Sequence, residues 1–224
     1  MFFYDPTMIL LIPVIILAFW ARHKVKSTFK KYSQKRANKG LSSNEVARDI
    51  LKKANTNIPI EQVKGELSDH YDPKEKVLRL SNSVYGKKNI SAIAVAAHEA
   101  GHALQDSNGY MPLKIRNAIA PVANIGSKLA FPLIFIGFLL QAFSLLKIGI
   151  VFYAAAVVFS IVTLPVEFNA SSTALNIIKN NGYLNSEEMT GAKKVLNAAA
   201  MTYVASTLAA LVNLLRFILL AGRE

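Results

Sequence analysis

From residue 129 to residue 166 the chain reads LAFPLIFIGFLLQAFSLLKIGIVFYAAAVVFSIVTLPV, with Lys147 as its one basic or acidic side chain. Residues 129–146 and 148–166 are each close to the length, about 20 residues, that an α-helix needs to cross a bilayer. They are joined by little more than Lys147 and Gly149, which predicts a tight helical hairpin with its turn outside the membrane. Toward the N-terminus, the apolar run 8–20, with Phe2, Phe3 and Tyr4 before it, is followed at once by Arg22, His23, Lys24 and Lys26. A cleaved signal peptide carries its positive charges before the apolar stretch, so this reversed order predicts a retained anchor, residues 1–21. Toward the C-terminus, residues 195–221 are a weaker candidate span, interrupted by Asn197, Thr202, Ser206, Asn213 and Arg216. The expected fold is mostly α and integral to a membrane, with about four transmembrane helices.

Composition agrees. Hydrophobic residues make up 52% of the chain, yet the formal net charge is +12, so charge and apolar surface must be segregated. Of 26 Lys and Arg residues, 20 fall between Arg22 and Lys128. Basic loops beside apolar spans report membrane orientation and contact with an anionic lipid bilayer. With Asp5 on the far side of the first span, the bias places the N-terminus outside the cytoplasmic (inner) membrane. Residues 22–128 and 167–194 then face the cytoplasm, the hairpin spans at 129–166, and residues 195–224 form the last apolar helix. No nucleic-acid-binding pattern is present, so nucleic acid is not an expected partner. The absence of cysteine excludes disulfides, thiolate metal sites and thiol nucleophiles.

Within the basic region, residues 42–54 read as a helix capped by Ser42 or Ser43, with Val46, Ile50 and Leu51 on one face. Residues 63–67 and 77–80 flank the turn-forming group Asp72, Pro73 and Lys74, which predicts a β-hairpin between them. A further helix, capped by Asn89 or Ser91, runs to about Gln105 and is ended by Asp106, Ser107, Asn108 and Gly109. That helix carries the chemistry. In Ala97-His98-Glu99-Ala100-Gly101-His102-Ala103 two of the four histidines stand four residues apart, on one helical face, where both imidazoles can reach one ion. Zinc suits such a pair, and Glu99 is placed to take a proton from the attacking water and pass it to the leaving amine. Two imidazoles and a carboxylate are costly to bury in so apolar a stretch without a metal. Gly101 in mid-helix asks for a reason, and close approach of another element is one.

A catalytic zinc needs a third protein ligand. Asn108 stands six residues after His102, so a third histidine is absent there. Glu167, at the end of an apolar stretch and on the predicted side of His98, is the best candidate, ahead of Asp106 and Glu187; the plainer reading of Glu167 is an interfacial carboxylate paired with a Lys or Arg. His70 and Tyr71 either stabilise an oxyanion by hydrogen bonding or shape the hairpin turn. Asn169 either orients a ligand from behind or caps the following helix.

Asp69-His70-Tyr71-Asp72-Pro73, Val77-Leu78-Arg79-Leu80-Ser81, Ala96-Ala97-His98-Glu99-Ala100-Gly101-His102-Ala103 and Leu164-Pro165-Val166-Glu167-Phe168-Asn169-Ala170-Ser171 together resemble the neutral zinc metallopeptidases of bacterial membranes, over most of the chain. More distantly the chain looks like the glutamate-zincin membrane proteases, such as the heat-shock membrane protease and the CAAX prenyl protease. The resemblance implies His98, His102 and Glu167 as ligands of one zinc, Glu99 as base, and a hairpin edge that receives a peptide or membrane-protein substrate as an added strand. Asn169 stands where that family more often has Asp. The expected activity is a membrane-embedded zinc endopeptidase working at the cytoplasmic face. A site-2-type intramembrane protease would need a ligand Asp on a later helix, and none follows Asp106. An inactive metal-binding scaffold would have no use for Glu99.

Overall fold

The computed structural model describes residues 6–222; Phe2, Phe3, Tyr4 and Asp5, and with Asp5 part of the orientation argument, lie outside the described residues. A short 3-10 helix (Pro6–Leu10) leads into α1 (Leu11–Ser33) and α2 (Ser43–Lys53). Three strands follow, β1 (Ile60–Val63), β2 (His70–Asp72) and β3 (Val77–Ser81). The chain ends in four helices, α3 (Ile90–Ser107), α4 (Met111–Leu139), α5 (Phe143–Asn180) and α6 (Ser186–Ala221). The fold divides into two compact units: one takes the described residues up to Arg22, Lys114–Pro165 and those from Thr202 onward, the other His23–Leu113 and Val166–Met201.

The first unit is helical and turns apolar side chains outward: Ile16, Phe135 and Val151 are 63%, 69% and 69% exposed. Four helical segments, Thr7–Ser33, Met111–Leu139, Phe143–Asn180 and Ser186–Ala221, are long and apolar enough to cross a membrane, with mean hydropathies of 1.7 to 2.4. Hydrocarbon is the solvent that such a surface suits. The chain is a mostly helical membrane protein. Its small interior gathers Ala130, Ile134, Leu146, Tyr153, Val157 and Phe217.

The turn between α4 and α5 departs from the sequence expectation. It lies just after Leu139, where Gln141 takes a left-handed φ of 52°, and Lys147 and Gly149 are inside α5. Packing explains Gly149 better than a turn does. A Cβ there would lie 2.7 Å from Ile134 Cγ1 and 2.9 Å from the Ile134 main-chain nitrogen, so the glycine lets α4 and α5 touch backbone to backbone.

The second unit has the larger core, which joins α2, the sheet, α3 and the flanking stretches of α1, α5 and α6 through residues such as Tyr32, Val46, Leu51, Leu78, Leu80, Ile93, Ile178 and Leu196. Helix α2 starts as its sequence reads: the Ser42 hydroxyl accepts from the Glu45 N–H, and a Glu45 carboxylate oxygen accepts from the Ser42 N–H at 2.7 Å. Such a reciprocal cap is worth about 1 kcal/mol.

The sheet, in order β1-β3-β2, corrects the predicted hairpin. The antiparallel partner of β3 is His70–Asp72 and not residues 63–67; β1 lies on the other side of β3 and pairs with it in parallel. Gly65 at φ 112° and Leu67 at φ 54° leave the extended region, so residues 63–67 cannot continue a strand. Two carboxylates pin the true hairpin. Asp72 Oδ1 accepts from the N–H groups of Lys74 (2.9 Å) and Glu75 (3.2 Å), which turns the chain immediately after β2. Asp69 accepts from the Ser81 N–H at 2.7 Å and the Ser81 hydroxyl at 2.9 Å, and so ties the start of β2 to the end of β3.

Candidate metal centre and active site

Helix α3 begins where Asn89 Oδ1 accepts from the Ala92 N–H at 2.9 Å. Its first turns are held by fully buried Ala92, Ile93, Ala94, Ala96 and Ala97, which fix the direction in which the next turn points. His98 and His102 project from that turn. Glu167, 3% exposed, comes from α5 two residues after Pro165. The closeness of the two helices depends on Gly101: a Cβ on it would stand 2.9 Å from the Ala170 carbonyl oxygen. That is the close approach which the mid-helix glycine led one to expect.

Three donor atoms converge. His98 Nε2 and His102 Nε2 are 3.2 Å apart, and Glu167 Oε2 is 3.3 Å from the first and 3.5 Å from the second. Ligands at about 2.0–2.1 Å from zinc in tetrahedral arrangement stand roughly 3.3 Å from one another. The triangle is one face of such a tetrahedron. Among the described residues, these three form the one group of His and carboxylate side chains close enough to share an ion.

Hydrogen bonds behind the triangle decide which atoms face inward. Gln105, 4% exposed, donates through Nε2 to the Val166 carbonyl (2.9 Å) and to Asn169 Oδ1 (2.8 Å). That commits its Oε1, 3.0 Å from His102 Nδ1, to act as acceptor, so His102 carries its proton on Nδ1. His98 Nδ1 has the Ser171 hydroxyl at 3.1 Å, which accepts from the ring when His98 carries its proton on Nδ1. His102 Nε2 is then left with a lone pair, as is His98 Nε2 in that tautomer, and both face Glu167 Oε2, a buried oxygen that makes no hydrogen bond with the other described residues. Three acceptors turned toward one another are repulsive unless a cation lies between them. The donor set is the nitrogen and oxygen chemistry that zinc accepts, and the residues present fit it.

Glu99, 8% exposed, precedes the pair's second member by three residues and is held from β2: one carboxylate oxygen accepts from the Tyr71 N–H at 3.1 Å. The other carboxylate oxygen makes no hydrogen bond to the described residues. Tyr71 turns its hydroxyl to Asp106 Oδ2 at 2.6 Å, and burial, reinforced by that carboxylate, raises the phenol well above its usual range, so it remains a donor.

Over residues 7–222 the chain matches the family described as "putative neutral zinc metallopeptidase". The chain belongs to this family. It is 49% identical over 219 residues to the "putative membrane protease YugP" of Bacillus subtilis (strain 168), a match covering 96% of this chain and 97% of that one. No solved structure matches it.

In this member of the family the sequence candidates fall into place unevenly. His98, His102 and Glu167 come together as one cluster. Asp106 is engaged elsewhere, by Tyr71 and by the Lys76 ammonium, and Glu187 is exposed in the first turn of α6. His70 is exposed with its Nδ1 on the Ser68 carbonyl at 2.8 Å, and the alternation of a strand turns it to the opposite face from Tyr71. Asn169 acts one step removed, orienting Gln105, which in turn orients His102. Gln105 and Ser171 were not legible as site residues, although both carry a spacing signal. Gln105 lies three residues after His102 and Ser171 four after Glu167, each on the helical face of the ligand it follows.

Proposed function

We propose that the protein is a zinc-dependent endopeptidase that hydrolyses peptide bonds of peptide or membrane-protein substrates, with its active site at the cytoplasmic face of the membrane. The observation that carries this reading is the triangle of His98 Nε2, His102 Nε2 and Glu167 Oε2, with edges of 3.2 to 3.5 Å, beside a buried Glu99. A zinc ion held by these three residues supplies Lewis acidity, polarising the scissile carbonyl and making water acidic. The chain does the rest. Glu99, with one oxygen on the Tyr71 N–H and the other free, takes the proton of the attacking water and returns it to the departing amine. Gln105 holds the His102 imidazole in the tautomer that presents Nε2, and the Ser171 hydroxyl can accept from His98 Nδ1 to support the same tautomer there. Of the two hairpin candidates for donation to a developing oxyanion, His70 faces away, and Tyr71 could serve only by releasing the single hydroxyl proton that it gives to Asp106.

The hairpin also supports the expected mode of substrate entry. β2 is an edge strand whose main-chain N–H at Tyr71 meets Glu99, so an extended peptide laid along that edge would pass the base. Charge bias supports the side: 20 of the 26 Lys and Arg residues fall between Arg22 and Lys128. A reporter fused to the C-terminus tests the topology, since four spans with the N-terminus outside put the C-terminus outside as well.

The decisive experiment is elemental zinc analysis on the purified wild type and on Glu167→Ala, with proteolysis of casein and of membrane proteins measured alongside Glu99→Gln. The wild type should hold about one zinc. Glu167→Ala should lose it, and Glu99→Gln should keep the metal and lose cleavage. A zinc-free wild type, or a Glu99→Gln variant that cleaves normally, would overturn the mechanism.

A further inference from the structure

The second unit contains a groove that the catalytic chemistry does not use. It is a cavity of about 810 Å³ between one face of α5 and one face of α6, and it starts beside the triad: Phe168 follows Glu167 directly, and Ser171 holds His98 Nδ1 at 3.1 Å. From Phe168 the lining continues along α5 through Asn176 to Lys179, and α6 contributes Lys193 and Asn197. At 1.5 Å per residue, the distance along α5 from Phe168 to Lys179 is roughly 16 Å, which accommodates about five residues of extended chain.

The character of the lining is as specific as its length. No Asp or Glu is among the residues that line the groove. The amides of Asn176 and Asn197 and the ammonium groups of Lys179 and Lys193 make no hydrogen bond or ion pair with other described residues. Asn176, Lys179, Lys193 and Asn197 are all exposed. An amide offers a donor and an acceptor together, the pair that a peptide main chain presents in return. Two lysines that pair with no carboxylate among the described residues give the lining itself a positive charge.

We propose that this groove is a substrate subsite that takes an extended stretch of the polypeptide leading away from the scissile bond and favours acidic side chains in it, Lys179 and Lys193 setting the preference. This rests on the peptidase reading above and adds to it a substrate class. The site selects by charge several residues from the cut, while the metal triad acts on the peptide group common to all substrates. The preference is a matter of differential binding along the chain, so it should appear in kcat/KM and weaken with salt.

The test uses full-length protein in detergent and internally quenched peptides, alike except for two Glu, two Gln or two Lys placed three to five residues to one side or the other of a central Ala-Leu pair. With the wild type, the Glu peptide should be cleaved with a kcat/KM about five- to tenfold above that of the Lys peptide, for the charges on one side only. The double variant Lys179→Glu with Lys193→Glu should invert that order while keeping its zinc. Binding of the same peptides, fluorescently labelled, to Glu99→Gln by anisotropy supplies a readout that needs no cleavage. If wild type cleaves the peptides and the charge reversal leaves the Glu to Lys ratio unchanged, the groove proposal is wrong and the peptidase reading stands. If nothing is cleaved, yet the Glu peptide binds Glu99→Gln and not the same protein carrying both lysine reversals, the groove stands and the peptidase reading fails. Absence of both cleavage and binding overturns both.

Discussion

Replacing Gly101 by alanine should damage the metal site more than the fold. The new Cβ would stand 2.9 Å from the Ala170 carbonyl oxygen and 3.5 Å from the Ala170 carbonyl carbon and Cα. Ordinary contact between such atoms begins near 3.4 Å, so α3 and α5 must separate by roughly 0.5 Å, and no rotamer change relieves a clash with main chain. On stability two effects oppose each other. Overpacking of this kind costs about 1–3 kcal/mol, while alanine is favoured over glycine in mid-helix by about 1 kcal/mol. The net loss in metal-free protein is then about 0–2 kcal/mol, a shift of a few degrees in Tm. Coordination is less forgiving: ligand distances tolerate about 0.2 Å, and the displaced element carries Glu167. Zinc affinity should therefore fall by roughly 10- to 100-fold, the loss typical when a ligand's support is disturbed. Competition against a chelator of known affinity measures it, and a melt in EDTA gives the stability separately. An unchanged zinc Kd would refute the claim that this glycine sets the spacing of the site. A large fall in Tm with normal affinity would refute it equally.

Other expectations follow from named contacts. Gln105→Leu removes the acceptor that places the His102 proton on Nδ1 and both donors to the segment around Glu167, so zinc affinity should drop by about 10- to 100-fold with the helical circular dichroism intact; wild-type affinity would show that the tautomer is set in some other way. Zinc affinity should weaken as pH falls, because protons compete with the metal for the imidazole nitrogens; an affinity that does not change with pH would exclude histidine ligation. In metal-free protein, the N–H groups of Glu75 and Lys74, with help from Arg79, hold the Asp72 carboxyl below the ordinary carboxylate range. A depressed carboxyl contributes stability that is present above its unfolded pKa of about 4 and is lost as pH falls through the folded value. Asp72→Asn should therefore lower Tm at neutral pH and flatten its acid limb, and identical melting curves for the two proteins between about pH 7 and pH 3 would remove the turn from the account.

Much of this protein is determined locally and can be read along the chain. Apolar runs of membrane length need no partner to be recognised, and the metal-binding pair needs only the 3.6-residue period that puts His98 and His102 on one face. The capping of α2 by Ser42 and of α3 by Asn89 is local in the same way. Pairing and approach are different, because they depend on what lies across the gap. Residues 63–67 look like a strand, yet left-handed Gly65 and Leu67 break them, and the partner of β3 is the short segment His70–Asp72, which two aspartates pin. Gly149 looks like a turn residue, yet it is the point where α4 and α5 touch. Glu167 could be singled out as a costly carboxylate at the end of an apolar run, but only packing brings its Oε2 to 3.3 Å from His98 Nε2, 69 positions earlier in the sequence. Gln105 and Ser171 carried no local sign beyond their spacing, since a supporting hydrogen bond is defined by the geometry of both partners at once.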